Sequence, residues 1–368
     1  MQHAHEAAPG TPALHLTGVT LRQGRREVLD NISLEIPAGA LFVLLGEAGS
    51  GKSALLATLA GVAEPSGGEI CNHGAPLKHT PPSRRGFGVV AQHDALFPHL
   101  SLAGNVGYPL RLRRLSAGAR TPLVEAALDS VLLTDAHRRP RQATPAECQR
   151  AALARATVFG PRVLLLDEPL ADQPAEFRPA MVAALRRLHL LLGATTILAT
   201  RVAADAMALA DQVAVLHRGR IEQVATPATL YDNPNSAVAA MACGETNLLP
   251  GTVRDIDEDG MAVVALACGP VVEGEATGTL KPRDPCQFCV RPERIAVAPV
   301  AAADMGESAL DAKLLEVLHL GDIVRLRLLL GSGAELLVKR PLAPGLHPGQ
   351  RVAIAWQPGH ARVFGLGW

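Results

Sequence analysis

The sequence predicts an α/β domain built on a mainly parallel sheet, interrupted by a helical insert and followed by a small all-β barrel. Three observations carry that expectation. Two short, continuously apolar runs, Leu41–Leu45 and Val163–Leu166, are of the kind that fill central strands covered on both faces. Between them, residues from about 100 to 155 form a helical insert, rich in Arg, Leu and Ala at helical spacing as far as about 140. After about Asn235 the pattern turns to alternation broken by Gly and Pro, which suits short strands in a closely connected barrel. A length of 368 residues accommodates this as two domains, each large enough for its own core. Their boundaries read as 13–240 and 241–368, after a leader over 1–12.

In chain order, Met1–Pro12 contains His and Glu with neither a basic start nor an apolar stretch, so it reads as disordered and not as a signal peptide. The Leu41–Leu45 strand runs into Gly46-Glu-Ala-Gly-Ser-Gly51-Lys52-Ser53 and then into the helical run Ala54–Leu59. Val163–Leu166 delivers Asp167 and Glu168 to a strand end. A third buried run, Thr195–Thr200, precedes a helix and then Gln212–Leu216. In the C-terminal part Ile323–Leu328, Glu335–Lys339 and Arg351–Trp356 alternate, so that Val324, Leu326 and Leu328 face the barrel core and Arg325 and Arg327 face water. Arg291 and Glu293 read as a structural ion pair.

Composition removes several classes of function. Equal numbers of basic and acidic residues, 35 each, leave no electrostatic footprint for duplex DNA, and seven Phe, two Tyr and two Trp offer few stacking platforms for single strands. No nucleic-acid partner is expected. The longest apolar run, Leu188–Thr200, holds a His and spans about 13 residues against the roughly 20 that cross a bilayer. The chain therefore reads as soluble, or attached through something else. Cys71, Cys148, Cys243 and Cys268 stand apart, and a single CxxC, Cys286 with Cys289, lies in a strand-like run. Without a second pair or clustered His this is a weak zinc signal, and the thiols read as structural ones in a reducing cytoplasm.

The chemistry lies elsewhere. Gly46–Ser53 matches GxxxxGK(S/T), and the order strand, loop, helix is the context that separates a phosphate-binding loop from a chance match. Its glycines let successive N–H groups point inward at the positive end of a helix. Lys52 would reach the β- and γ-phosphates and Ser53 would hold Mg²⁺. About 110 residues downstream, Asp167 can reach that metal through water, and Glu168 is placed to polarise an attacking water.

The order and spacing of these motifs resemble the ATP-binding subunits of ABC transporters, especially importers carrying a C-terminal β-domain. The resemblance runs from about Leu14 to the end and includes Ile36–Gly39, Val89–Gln92 with Leu96–Leu100, Gln149-Arg150, Ala154–Ala156, Met207–Asp211, Gly219–Ile221 and Thr226-Pro227. Gly244–Gly251, Val290–Glu293, Leu320–Asp322 and Val352–Trp356 look like the accessory, OB-like TOBE barrel of the polyamine, ferric-ion and phosphonate branch. The resemblance implies a P-loop NTPase fold and an ATPase using ATP and Mg²⁺. Nucleotide would be held by Gly46, Glu47, Ala48, Gly49, Ser50, Gly51, Lys52, Ser53 and Ala54, metal by Ser53, Gln92 and Asp167, and catalysis would involve Glu168, Gln92 and Arg201. It further implies membrane permease subunits as partners, a homodimer or heterodimer of ATP-binding subunits, a periplasmic binding protein acting indirectly, and a place on the cytoplasmic face of the plasma membrane. Polyamine is the first expectation for cargo, with ferric ion or phosphonate as alternatives.

Four elements depart from the family pattern. The signature, LSGGQ in the family, aligns with Ala143-Thr-Pro-Ala-Glu147. Pro145 has no N–H, and Glu147 brings negative charge toward the triphosphate of an opposite subunit. Thr144, Pro145 and Glu147 should nonetheless start a helix through a capping box. The D-loop, SALD in the family, aligns with Ala171-Asp-Gln-Pro174, and the expected H-loop histidine is Arg201. A guanidinium can clamp a phosphate but cannot relay a proton. The adenine-stacking aromatic aligns with Gln23. These changes predict that the chain binds Mg·ATP while a homodimer hydrolyses it slowly. The competing readings are a degenerate, regulatory nucleotide-binding subunit and, more remotely, a soluble ABC protein of repair or translation.

Overall fold

Continuous apolar runs and alternating ones end up in different sheets. The computed structural model describes residues 12–92, 96–171, 173, 176–299, 309–331, 333–341 and 345–366, so nearly all of the expected leader lies outside the described residues. The chain divides into two compact units that meet at Pro227 and Ala228.

In the first unit a six-stranded sheet has the spatial order Arg220–Ala225, Gln212–His217, Leu41–Leu45, Thr195–Thr200, Val163–Asp167 and Gly88–Val90. Every neighbouring pair is parallel except Arg220–Ala225 with Gln212–His217. Leu41–Leu45 and Thr195–Thr200 are buried at every residue, as strands covered on both faces must be. A four-stranded antiparallel sheet, ordered Arg26–Ile36, Leu14–Gln23, Gly67–Asn72 and Ala75–Pro76, turns Leu14, Leu16, Leu29 and Ile32 into the same core as Phe42, Leu44, Leu55, Leu59, Leu165 and Ile197. The helix Lys52–Ala60 supplies Leu55 and Leu59 to that core, which fixes the loop before it.

The insert is helical, with helices Leu102–Val106, Tyr108–Leu112, Ala117–Ser130 and Pro145–Thr157. Three of them start at a side-chain cap: the hydroxyls of Ser101, Ser116 and Thr144 accept from the N–H groups of Gly104, Ala119 and Glu147. Among the described residues no helix is long and apolar enough to cross a membrane.

In the second unit, the helices Pro227–Asp232, which starts at the junction, and Ala237–Cys243 precede a closed barrel ordered Asn247–Ile256, Met261–Leu266, Val271–Thr277, Ala361–Gly365 and Pro285–Val290. A further five-stranded sheet is ordered Ala296–Pro299, Arg351–Ala355, Leu310–His319, Val324–Leu330 and Ala334–Arg340. The alternating runs of residues 323–328, 335–339 and 351–356 lie in this second sheet and not in the closed barrel. Val324, Leu326 and Leu328 are buried as expected, in a core that also contains Phe288 and Val264 of the barrel. Alternation decides which face is buried; it does not decide which strand is the neighbour.

The two CxxC thiols face different surroundings. Cys286 joins the main core with Phe288, whereas Cys289 packs with Ala240 and Phe364. Three residues along a strand place side chains on opposite faces, and burial pushes both thiols up, Cys286 to about 11. The expected Arg291–Glu293 ion pair is corrected. Arg291 is buried, donates to the backbone oxygens of Ala240, Gly244, Glu245 and Tyr231, and stacks 4.2 Å from the Tyr231 ring centroid. Glu293 instead accepts from the Tyr231 hydroxyl. Arg291 thus satisfies carbonyls left open at the end of the Ala237–Cys243 helix.

Candidate functional site

Parallel strands present all their carboxyl ends at one edge, which is where open α/β sheets bind ligands. At that edge the chain turns out of the sheet at Gly46, Glu168 and Arg201, directly after Leu45, Asp167 and Thr200.

The Gly46–Ser53 loop follows from close backbone approach. A Cβ at Gly46 would lie 2.3 Å from the Leu216 oxygen and 2.7 Å from Ser50 Oγ. Gly49 and Gly51 have φ of +77° and +112°, a region that only glycine occupies without strain. The loop is further held by Gly219, whose N–H donates to the Ser50 oxygen at 2.8 Å. The Lys52–Ala60 helix begins at once, and its first-turn N–H groups have no acceptors within the helix. Glu47, Ala48, Gly49 and Ser53 are exposed, while Ser50, Gly51 and Lys52 are buried.

Lys52 Nζ donates to the oxygens of Gly46 at 2.7 Å and Glu47 at 2.8 Å, so the ammonium lies folded over the loop. Burial lowers its pKa, against the opposing pull of Glu168 and Asp167. Ser53 Oγ donates to Asp167 Oδ1 at 3.1 Å. Burial raises the Asp167 carboxyl, with the Ser53 hydrogen bond acting the other way and neighbouring Glu168 adding to the rise. Hydroxyl and carboxylate oxygens side by side are the donor set a hard divalent cation takes, so these residues fit Mg²⁺. Gln92 is exposed two residues beyond the Gly88–Val90 strand, which pairs with Val163–Asp167.

Glu168 has φ +47°, and its N–H donates to the Ala199 oxygen at 3.0 Å. This fixes the backbone against the neighbouring strand, and the Glu168 carboxylate accepts from Arg201 Nε at 2.8 Å. The pattern of the sequence did not anticipate that contact, because the two residues come from separate motifs 33 positions apart.

The expected capping box is present. Thr144 Oγ1 accepts from the Glu147 N–H at 3.3 Å, and Glu147 Oε2 accepts from the Thr144 N–H at 2.8 Å and from its hydroxyl at 3.0 Å. Glu147 also accepts from Arg138, which pairs with Asp135 at 2.8 Å. The N–H of Thr144 holds the Glu147 carboxyl below its ordinary value. Gln149 donates to the Pro169 oxygen and accepts from the buried amide of Gln173, tying the Pro145–Thr157 helix to the segment after Glu168. Asp172 and Pro174 of the D-loop position lie outside the described residues. Gln23 is exposed at the end of its strand, one residue from Arg22, which pairs with Glu27 at 3.2 Å. Asp211, the last residue of the Met207–Asp211 match, has a role the sequence did not show: its carboxylate accepts from the Leu41 N–H at 2.7 Å where the central strand begins.

Comparison with known proteins agrees with this architecture. The ABC transporter family model matches residues 29–171 and the TOBE domain model residues 288–364. A spermidine/putrescine import ATP-binding protein of Pseudomonas aeruginosa is 36% identical over 352 residues, 94% of this chain and 97% of that protein. One from Rubrobacter xylanophilus is 36% identical over 96% of this chain and 94% of its own length. A sulfate/thiosulfate import ATP-binding protein of Mycobacterium bovis is 39% identical over 74% of this chain and 78% of that protein. Among solved structures, a dimeric ATP-binding cassette in a post-hydrolysis state with ADP and phosphate superposes with TM-score 0.53 at 25% identity, over 58% of this chain and 98% of that one. With the phosphate-loop geometry, the parallel sheet and similarity over 94% of the chain all in agreement, the chain belongs to the import-type ABC transporter ATPases that carry a C-terminal TOBE domain.

Proposed function

We propose that the chain is the energy-coupling subunit of an importer for polyamine-like solutes, binding Mg·ATP and working with membrane permease subunits on the cytoplasmic face of the plasma membrane. The observation that carries this reading is the meeting of Lys52, Ser53 and Asp167 at one sheet edge, with Ser53 Oγ 3.1 Å from Asp167. N–H groups of the loop and helix start within residues 47–54 bind the phosphates, the Gly46 N–H being taken by the Thr200 oxygen at 3.3 Å, and Lys52 exchanges its loop carbonyls for phosphate oxygens. Ser53, Asp167 and Gln92 would hold Mg²⁺, which would supply positive charge to offset that of the phosphates. Glu168 orients the attacking water and takes its proton. The polyamine assignment is supported by relatives with that printed activity matching 94% and 96% of the chain; ferric ion or phosphonate remain the alternative cargoes.

A second reading, a subunit in which ATP acts mainly as a conformational ligand, is favoured by one specific feature. The Thr144 hydroxyl and the Glu147 carboxylate are closed on each other, and Pro145 has no N–H to offer. In a homodimer that surface would meet the partner's γ-phosphate with little to donate, so turnover is slow; a heterodimer with an intact subunit supplies what is missing. Both readings are tested by tagging the chain, purifying it from membranes, and measuring ATPase activity together with putrescine uptake in a deletion strain. Recovery with permease chains and loss of uptake supports the importer. Recovery alone with ATP binding intact supports the regulatory subunit, and failure to bind ATP overturns both.

A further inference from the structure

We propose that Arg201 is a positioning residue that restrains Glu168, holding ATP turnover low through their ion pair. This rests on the reading of Glu168 as the proton acceptor for the attacking water. Glu168 leaves its strand with φ +47°, and its N–H is fixed on the Ala199 oxygen at 3.0 Å. Its side chain is thereby delivered to the end of the Thr195–Thr200 strand, where the next residue is Arg201. Arg201 Nε donates to Glu168 Oε2 at 2.8 Å, and the side chains are 48% and 10% exposed respectively. The carboxylate is the enclosed partner and the guanidinium the exposed one, so the arginine covers the glutamate.

The neighbouring cation, Lys52, donates to the oxygens of Gly46 and Glu47 instead, and Asp167, a carboxylate itself, has no proton to donate to Glu168. A guanidinium stays charged throughout the working pH range, and its hydrogen bond to a carboxylate is about twice as strong as a neutral one. An imidazole at position 201 would carry at most part of a charge near neutrality. In hydrolysis the water oxygen bonds to the γ-phosphorus as the bond to the bridging oxygen breaks, ADP and inorganic phosphate leave, and the water proton passes to a Glu168 oxygen. A carboxylate with one oxygen held by Arg201 is constrained in where it can aim at the attacking water.

The test measures kcat and KM for ATP with Mg²⁺ on the full-length protein, its Arg201→Ala and Arg201→His variants, and each of these combined with Glu168→Gln. Affinity for a fluorescent ATP analogue is measured in parallel. Both single substitutions are expected to raise kcat by about tenfold while KM and affinity hold within about twofold, and the gain should vanish in the Glu168→Gln background. Half-exposed Arg201 makes loss of folding a small risk, and thermal melts of each variant check it. A fall in kcat, or a rise in KM, on removing Arg201 would mark it as a phosphate clamp and overturn the proposal. A gain that persists without the Glu168 carboxylate also overturns it. If the parent protein fails to bind the analogue, the functional reading itself falls; binding without any effect of Arg201 defeats the restraint alone.

Discussion

Ser53 Oγ donates to Asp167 Oδ1 at 3.1 Å, joining residues 114 apart in sequence. The contact exists because Leu41–Leu45 and Val163–Asp167 both run parallel to Thr195–Thr200, so their carboxyl ends reach the same edge. Burial pushes the Asp167 carboxyl up, and a cation bound beside it offsets that cost. Asp167→Asn is therefore expected to weaken ATP binding by about 10–100-fold in Mg²⁺, the worth of a charged hydrogen-bonding partner. Titration in excess chelator should show a much smaller loss. Equal losses in both conditions would mean that Asp167 supports the loop and does not hold the metal.

Gly46 marks the tightest approach in the phosphate loop. Its Cβ would lie 2.3 Å from a backbone oxygen, that of Leu216, which cannot swing away as a flexible side chain would. Gly46→Ala should cost about 1–3 kcal/mol in urea unfolding and abolish nucleotide binding. Gly118→Ala is the matched control: it lies in the Ala117–Ser130 helix with nothing within 4 Å of the added carbon. It should stabilise the protein by about 0.5–1 kcal/mol and leave binding intact.

How far the sequence reveals this molecule depends on the range of the interaction. Leu41–Leu45 and Thr195–Thr200 coincide with the observed strands because a strand buried on both faces writes its limits as an apolar run. The capping box of Thr144 and Glu147 was legible because it closes within three residues. Long-range partners were not. Arg291 and Glu293 invited pairing by proximity in sequence, whereas Arg291 is used by carbonyls up to 60 residues away. The separation of the C-terminal strands into a closed barrel and a second sheet is likewise a matter of pairing, on which alternation is silent.

Arg291 supplies the C-terminal unit with a testable weakness. Its guanidinium donates to Ala240 at 2.9 Å and Tyr231 at 3.2 Å, among other backbone oxygens. Arg291→Met fills similar space but leaves those buried acceptors without a donor. A loss of roughly 2–3 kcal/mol in stability is expected, whereas Glu293→Gln, which still accepts from Tyr231, should cost well under half as much. Near-equal losses would restore the ion-pair reading.

Glu147 gives a pH signature. Its carboxyl is held below the ordinary value of 4.5, first by the Thr144 N–H. The unfolded chain therefore takes up the proton at higher pH than the folded one. The stabilisation is complete above about 4.5 and is lost as pH falls below it through the folded value. Glu147→Gln removes that dependence, so the stability difference between parent and variant should be largest at neutral pH and shrink steadily in acid. A constant difference from pH 7 to pH 3 would assign the effect of Glu147 to packing.

The same capping box sets stability against activity. Restoring the family's residue types with Pro145→Gly and Glu147→Gln returns an N–H to the helix start and removes a negative charge from it. It also gives up the rigid first turn and the charged half of the cap, a cost of about 1 kcal/mol. If the altered signature is what slows a homodimer, the double variant should hydrolyse ATP at least about tenfold faster while melting at a lower temperature. An unchanged rate with the lower melting temperature would show that the substituted helix start contributes only to folding, and would leave the Arg201–Glu168 pair as the place to look for any restraint on turnover.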